Sequence, residues 1–226
     1  SARPAEKACW RFTWKKTMSD PRSDLIATAL AMGANGLNRS TAGNVSVRAG
    51  DGFHITPTGM PYASLTADDI PQMALDGTHR GRRKPSSEWR FHRDLYATRP
   101  EVGAVLHAHS PFAVSLACLR RDIPPFHYMI ARFGGDTIRC ADYAIFGSQE
   151  LSTAAMAALE GRRGCLLANH GLLVAGRDLA EALALAIELE ELCEQYWRAC
   201  QLGQPILLTP DEMRAVREKF AGYGQQ

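Results

Sequence analysis

The order of two hydrophobic patterns along the chain limits the folds that it can adopt. Residues 44–48 and 53–56 alternate polar and apolar side chains and are separated by Gly50-Asp51-Gly52, which predicts two strands joined as a hairpin. From about residue 102 onwards, short apolar strands alternate with longer segments of helical periodicity. A hairpin followed by alternating strands and helices predicts one α/β domain, with a mixed sheet covered by helices on both faces.

The same periodicities, with capping and turn residues, predict the other elements. Helices are expected at 21–32, 86–98, 110–119, 148–159, 178–200 and 211–220. Strands are expected at 71–75, 102–109, 137–140, 164–169 and 172–175, and a basic loop at 78–84. Asp178 and Glu181 have the spacing of a capping box at the start of the longest helix.

Positive charge is concentrated at the amino-terminal end of the chain. The whole chain has a net charge of +2, which gives no general case for nucleic-acid binding. Residues 1–17, however, contain five Lys or Arg against one Glu, and two of the four Trp. We interpret 1–17 as an extension and 18–226 as the folded domain, with a genuine basic tail as the alternative for 1–17.

Length and cysteine usage narrow the class of protein further. A chain of 226 residues can bury roughly 70% of its unfolded surface, which is enough for a core without disulfides. Six Cys are present without a CxxC pair, which favours a reduced, cytoplasmic setting. The sequence has no run of 18 apolar residues and no apolar signal core near its start, so neither a membrane span nor secretion is expected.

Three histidines are candidate metal ligands. His107 and His109 are two residues apart on a predicted strand, so both imidazoles project from the same face. His170 lies on a predicted bend at a strand end, where active-site groups often collect. Three neutral imidazoles with one open position are typical of a catalytic zinc site. The alternative is that each is an ordinary hydrogen-bonded histidine.

Ser86, Ser87 and Glu88 stand together at the predicted start of a helix. Glu88 is either a solvated acid favoured by the helix dipole or a general base beside a metal. The two serines either cap the helix or, with the free N–H groups there, bind a phosphate. Two further turns offer backbone N–H groups and small donors, and each alone is also an ordinary turn: Gly43-Asn44 and Thr58-Gly59.

The combination of these signals resembles the class II aldolase/adducin family. Ser86-Ser87-Glu88, His107-x-His109 and Asn169-His170-Gly171 occur in the family's order. The resemblance extends through TAGNVSVR (41–48), HITPTGMPY (54–62), PSSEWRFH (85–92), HYMIA (127–131) and ANHGLLVAG (168–176), and covers about residues 24–223.

The resemblance implies a fold, an assembly and a site. The implied fold is a single-domain α/β/α sandwich with a largely antiparallel mixed sheet, and the implied assembly is a homotetramer with sites at subunit junctions. It implies one Zn²⁺ per subunit held by His107, His109 and His170, with Glu88 as catalytic acid–base and as a ligand when the site is empty. The other implied site residues are Gly43, Asn44, Thr58, Gly59, Ser86 and Ser87 around a phosphate, Tyr128 acting in a neighbouring subunit, Phe146 near the substrate's tail, and Phe220 and Tyr223 closing over the substrate.

The resemblance also implies a reaction and leaves alternative functions to be weighed. Residues 18–226 would form an aldehyde-lyase that cleaves L-fuculose 1-phosphate, or a 5-deoxy- or 5-methylthio-ketopentose 1-phosphate, to dihydroxyacetone phosphate and an aldehyde through a zinc-stabilised enediolate. Sugar-phosphate 4-epimerases of the family carry Asp where Glu88 stands, and methylthioribulose-1-phosphate dehydratases differ in the sequence around the acid. A non-catalytic adducin-like module would have lost the ligands, which are all present here.

Overall fold

The computed structural model describes residues 20–38 and 42–221. The helices in these ranges are α1 (Pro21–Ala34), α2 (Trp89–Thr98), α3 (Pro111–Ala117), α4 (Gln149–Ala158), α5 (Leu179–Leu202) and α6 (Pro210–Ala221). The strands are β1 (Asn44–Ala49), β2 (Gly52–Ile55), β3 (Gln72–Ala74), β4 (His79–Arg80), β5 (Ala104–Ala108), β6 (Cys140–Ala141), β7 (Gly164–Leu167) and β8 (Gly171–Gly176). Short 3₁₀ helices lie at Tyr62–Ser64, Ala67–Asp69 and Tyr128–Phe133.

The strands form one eight-stranded sheet in the order β4-β3-β2-β1-β5-β8-β7-β6. Neighbouring strands are antiparallel except β6 and β7, which are parallel. Strand β5 lies near the middle, between β1 and β8, although β1 and β8 are far apart in the chain. The predicted hairpin is β1–β2, and the expectation of a mixed, largely antiparallel sheet is confirmed.

Helices cover both faces of this sheet. Because side chains alternate along a strand, successive residues of β5 enter different hydrophobic clusters. Leu106 packs with residues of α1, α3 and α5, whereas Val105 packs with Phe91 of α2 and Leu151 of α4. The α/β/α sandwich is therefore confirmed, and α2 lies on the same face of the sheet as the side chains of Val105 and His107.

Local capping explains where the longest helix begins. The Asp178 side chain accepts a hydrogen bond from the Glu181 N–H at 2.8 Å, as the capping pattern predicts. The Glu181 carboxylate does not close the capping box on Asp178. It instead accepts from the Arg177 N–H at 2.7 Å and pairs with the guanidinium groups of Arg163 and Arg177.

Helix α2 starts later than the sequence predicts. Glu88 occupies the N-cap position, so the helix begins at Trp89 rather than at residue 86. Pro85 forms a bridge with Pro57, and the Ser86 N–H donates to the Thr56 carbonyl at 3.0 Å. Ser86 is therefore held beside the end of β2, which leaves Glu88 at the junction between strand-like pairing and helix.

Two shorter segments also differ from expectation. The predicted loop at 78–84 contains strand β4, which pairs with β3 and extends the sheet edge. The strand predicted at 137–140 is shifted to Cys140–Ala141, because these residues pair with Leu166 and Leu167 of β7. In residues 20–38 and 42–221, no helix is both long and apolar enough to cross a membrane.

Candidate active site

The three candidate histidines meet where strands β5 and β8 pair. His107 lies on β5, His109 follows that strand directly, and His170 ends the turn that leads into β8. The pairing aligns His107 with Leu173, three residues after His170. Each pair of imidazole ring centroids is 4.8 Å apart, with the ring planes at 75–81°. The sheet register thus arranges the rings edge-on around one centre.

Glu88 completes this group. Its Oε2 lies 3.2 Å from Nε2 of His107, and its Oε1 lies 3.2 Å from Nε2 of His170. One ligand atom from each of Glu88, His107, His109 and His170 lies within 4.8 Å of all the others. The predicted ligand set is therefore brought together, and the late start of α2 is what points the Glu88 carboxylate at the histidines.

The hydrogen bonding of His107 makes this group suitable for a cation. Its Nδ1 lies 2.8 Å from the carbonyl oxygen of Leu172, and a carbonyl can only accept, so Nδ1 carries the proton. Nε2 of a neutral His107 then presents a lone pair 3.2 Å from the Glu88 carboxylate and 2.9 Å from Nε2 of His109. Electron pairs facing each other at these distances favour a positive ion between them, so the residues fit a divalent metal.

Burial and charge set the protonation of the group. Burial lowers the pKa of His109 to about 4, aided by His107 and His170, so its imidazole is neutral near pH 7. Burial raises the pKa of Glu88, but its electrostatic interaction and hydrogen bonding with His107 and His170 outweigh this and hold that pKa below its usual range. A neutral imidazole and an ionised carboxylate are the forms that bind metal ions.

Two glycines allow the backbone to approach the histidines. Gly43 has φ +89°, and a Cβ there would lie 2.7 Å from the His107 carbonyl oxygen. A Cβ on Gly171 would lie 2.3 Å from the carbonyl oxygen of Ala108 and 3.2 Å from the rings of His107 and His109. A side chain at either position would collide with this backbone and displace the histidines.

A pocket opens beside the Glu/His group. It has a volume of about 140 Å³, and its walls contain all the turn residues predicted from the sequence. The residues that line it are Ala42, Gly43, Asn44, Pro57, Thr58, Gly59, Ser86, Ser87, Glu88, His109, Phe146 and His170. Phe146 is the large apolar side chain in this wall and is 64% exposed.

The two serines do not cap α2 from the N-cap position, which Glu88 holds. The Ser86 hydroxyl accepts a hydrogen bond from the Glu88 N–H at 3.3 Å. Both serines line the pocket with Gly43 and Thr58. Hydroxyls and turn N–H groups before a helix are suited to hold an anion, which agrees with the phosphate alternative.

Two predicted aromatic residues lie elsewhere in this chain. The rings of Tyr128 and Phe220 stack with centroids 6.4 Å apart, and neither residue is among those that line the pocket. Tyr128 is 49% exposed. The third, Tyr223, lies outside the described residues.

The sequence interpretation named Asn44 as a phosphate-binding residue but missed the buried polar network that Asn44 forms behind Glu88. Asn44 donates from Nδ2 to Glu88 Oε2 at 3.0 Å, and its Oδ1 lies 2.6 Å from Nε2 of His92. Ser46 and Tyr96 continue the network. Helical spacing was the available signal, because His92 is four residues after Glu88 and Tyr96 four after His92; Ser46 likewise shares a strand face with Asn44.

A model of the class II aldolase and adducin N-terminal domain matches residues 23–197, which is more than half of the chain. The chain belongs to the class II aldolase and adducin family. Within this family, the relatives described next are aldolases, and the chain is an aldehyde-lyase of that type.

Relatives and a solved structure agree with this assignment. The chain is 56% identical over 203 residues to the 5-methylthioribulose-1-phosphate/5-deoxyribulose-1-phosphate aldolase of Rhodospirillum rubrum, covering 90% of this chain and 92% of that protein. It is 45% identical over 201 residues to the L-fuculose phosphate aldolase of Escherichia coli K12, covering 88% and 94%. A solved L-fuculose 1-phosphate aldolase superposes with a TM-score of 0.87 at 39% identity, covering 90% of this chain and 97% of that one.

Proposed function

We propose that this class II aldolase cleaves the C3–C4 bond of a ketose 1-phosphate with an apolar far end, giving dihydroxyacetone phosphate and an aldehyde. The observation that carries the proposal is that Glu88, His109 and His170 of the Glu/His group line a pocket whose other lining residues include several polar turns. The candidate substrates are L-fuculose 1-phosphate and the 5-deoxy- and 5-methylthio-ketopentose 1-phosphates, whose names occur among the relatives.

The metal proposed for this site is zinc. Three neutral imidazoles with an open position form the ligand type that catalytic zinc prefers, and Glu88 would take the fourth position in the absence of substrate. A bound divalent ion supplies Lewis-acid chemistry, because it stabilises the negative charge that develops on the substrate's oxygens as the C3–C4 bond breaks.

The polar turns and the carboxylate have separate tasks in this proposal. The turns bind the 1-phosphate and so place C2 and C3 beside the histidines, which supplies proximity. Their residues are Gly43, Asn44, Thr58, Gly59, Ser86 and Ser87. In the direction of cleavage, Glu88 delivers a proton to C3 after the aldehyde has left. In the direction of synthesis, Glu88 removes that proton from C3. Tyr128 of a neighbouring subunit transfers the proton of the oxygen on C4, which becomes the aldehyde oxygen.

The proposed assembly is a homotetramer with sites at subunit junctions. Support comes from the exposure of Tyr128 and from its separation from the pocket of its own chain. The pocket is also bounded on one side by the exposed Phe146, which a neighbouring subunit would cover.

A panel of ketose 1-phosphates tests the proposal, with dihydroxyacetone phosphate as the measured product. We expect 5-deoxyribulose 1-phosphate to be cleaved with a kcat/KM about 10-fold above that of ribulose 1-phosphate, because the C5 hydroxyl meets the apolar side of the pocket. Phe146→Ser should reduce that ratio. Conversion of a substrate without release of dihydroxyacetone phosphate would instead indicate an epimerase or dehydratase.

A further inference from the structure

We infer that His92 is a positioning residue for the proposed reaction: acting through Asn44, it holds one oxygen of Glu88 and leaves the other facing the histidines, where it carries the proton. The inference rests on the proposed function, because it assigns a role in the proton transfer at C3. His92 itself does not line the pocket or belong to the Glu/His group.

The direction of every hydrogen bond in the network is determined by the carboxylate. An ionised Glu88 can only accept, so Asn44 must turn its NH₂ group towards Oε2, at 3.0 Å, and its carbonyl towards His92. That carbonyl can only accept, so His92 must donate from Nε2, at 2.6 Å. Nδ1 of His92 then accepts from the Ser46 hydroxyl at 2.7 Å, and Ser46 accepts from the Tyr96 hydroxyl at 2.8 Å.

The network is sealed from water and held by packing. His92 and Ser46 are fully buried, and Asn44 and Tyr96 are 2% exposed. The imidazole of His92 stacks on Phe91, with ring centroids 4.8 Å apart. Burial lowers the pKa of His92 to about 3, so the ring stays neutral and carries its single N–H proton on Nε2.

The consequence is that the two oxygens of Glu88 are not equivalent. Oε2 accepts a hydrogen bond from the Asn44 amide, whereas Oε1 is buried, faces Nε2 of His170 at 3.2 Å and has no other polar partner within residues 20–38 and 42–221. A proton taken from C3 would therefore go to Oε1. Without the His92 donor, the Asn44 amide could rotate by 180° and present its carbonyl to Glu88, which repels the carboxylate and lets it turn.

The experiment compares His92→Phe with His92→Gln in the full-length, metal-loaded protein. Phe keeps the ring shape without a donor, whereas the terminal amide of Gln can place an N–H near the position of Nε2. The primary measurement is exchange of the C3 hydrogen of dihydroxyacetone phosphate with deuterated water. It is made alongside kcat and KM for the ketose 1-phosphate, metal content and Tm.

We expect His92→Phe to lower exchange and kcat about 10–100-fold, with KM changed less than 3-fold and metal retained. We expect His92→Gln to recover most of the exchange. Phe133→Leu, in the hydrophobic cluster on the opposite face of the sheet, is the stability control and should lower Tm without a comparable loss of exchange. If His92→Phe does not fold, His92→Asn replaces it, because its shorter amide cannot reach Oδ1 of Asn44.

Parental exchange rates in His92→Phe, or in its substitute His92→Asn, would overturn the inference. So would a His92→Gln variant that is as slow as the donor-free variant, since the loss would then come from packing alone. If the parent protein cleaves no ketose 1-phosphate and exchanges no C3 hydrogen, the proposed function itself fails. This result differs from an active parent whose His92 variants exchange at the parental rate, which contradicts only the role of His92.

Discussion

Nδ1 of His107 lies 2.8 Å from the carbonyl oxygen of Leu172 on the neighbouring strand β8. This single hydrogen bond couples the sheet register to the chemistry of the site, because it places the proton on Nδ1 and leaves Nε2 free as a ligand. The same strand pairing brings His170 to His107. The tautomer of His107 and the position of its ring beside His170 therefore both follow from the pairing of β5 with β8.

Replacing His109 by Ala should remove the metal. The two remaining imidazoles and Glu88 would offer fewer strong ligands, so metal analysis of the purified, unchelated variant should show a large loss relative to the parent. His79→Ala is a suitable control because His79 is exposed on the edge strand β4. Equal metal content in His109→Ala and the parent would contradict the ligand assignment.

Replacing Glu88 by Gln should lower turnover about 10²–10⁴-fold, because the amide keeps the shape of the carboxyl group but cannot exchange a proton. Metal content should persist, since the three histidines remain. Exchange of the C3 hydrogen of dihydroxyacetone phosphate should fall in parallel with turnover. A variant that exchanges this hydrogen at the parental rate would show that Glu88 is only a ligand or a structural group.

Mixing two inactive variants should restore activity if Tyr128 acts in a neighbouring subunit. Tyr128→Phe and Glu88→Gln subunits that exchange can form junctions in which both native residues meet, so part of the parental turnover should return. Mass spectrometry of the mixed oligomers verifies the exchange. Persistent inactivity in verified mixed oligomers would place the complete site within one chain.

Replacing Glu190 by Ala should destabilise the protein. The Glu190 carboxylate, on α5, accepts hydrogen bonds from the Ser110 hydroxyl at 2.6 Å and from the N–H groups of Phe112 and Ala113 at 2.8 Å each. It thereby caps α3 from a distant helix, next to His109. Loss of a cap is worth about 1–2 kcal/mol, or a fall of about 2–8 °C in Tm for a chain of this size. Glu191→Ala, exposed on the same helix, should change Tm little.

Deleting residues 1–17 should leave Tm and turnover nearly unchanged. The reason is the break in composition at Met18, after which positive charge comes almost entirely from Arg. Thermal unfolding and the aldolase assay of the truncated and full-length proteins provide the comparison. A large fall in Tm would mean that Trp10 and Trp14 pack into the domain.

Several features of the site could be predicted from local sequence. Alternation along β5 correctly placed His107 and His109 near each other, because a strand repeats every two residues whatever surrounds it. The helical stripe of α5 and its Asp178 cap were likewise predictable, since both depend on neighbours within one or two turns. The grouping of Glu88 with the histidines came from the resemblance to a family rather than from periodicity.

Other features depend on contacts between distant segments, and local sequence could not decide them. The beginning of α2 is set by the pairing of residues 85–86 with the end of β2, which outweighs the capping tendency of the serines. The roles of Asn44 and His92 arise only where β1 and α2 pack together and exclude water. Hydrophobic periodicity determined which elements form and which faces they bury. Only the tertiary structure decided which polar groups were left without water and so had to bond one another, because that depends on how the packed elements meet.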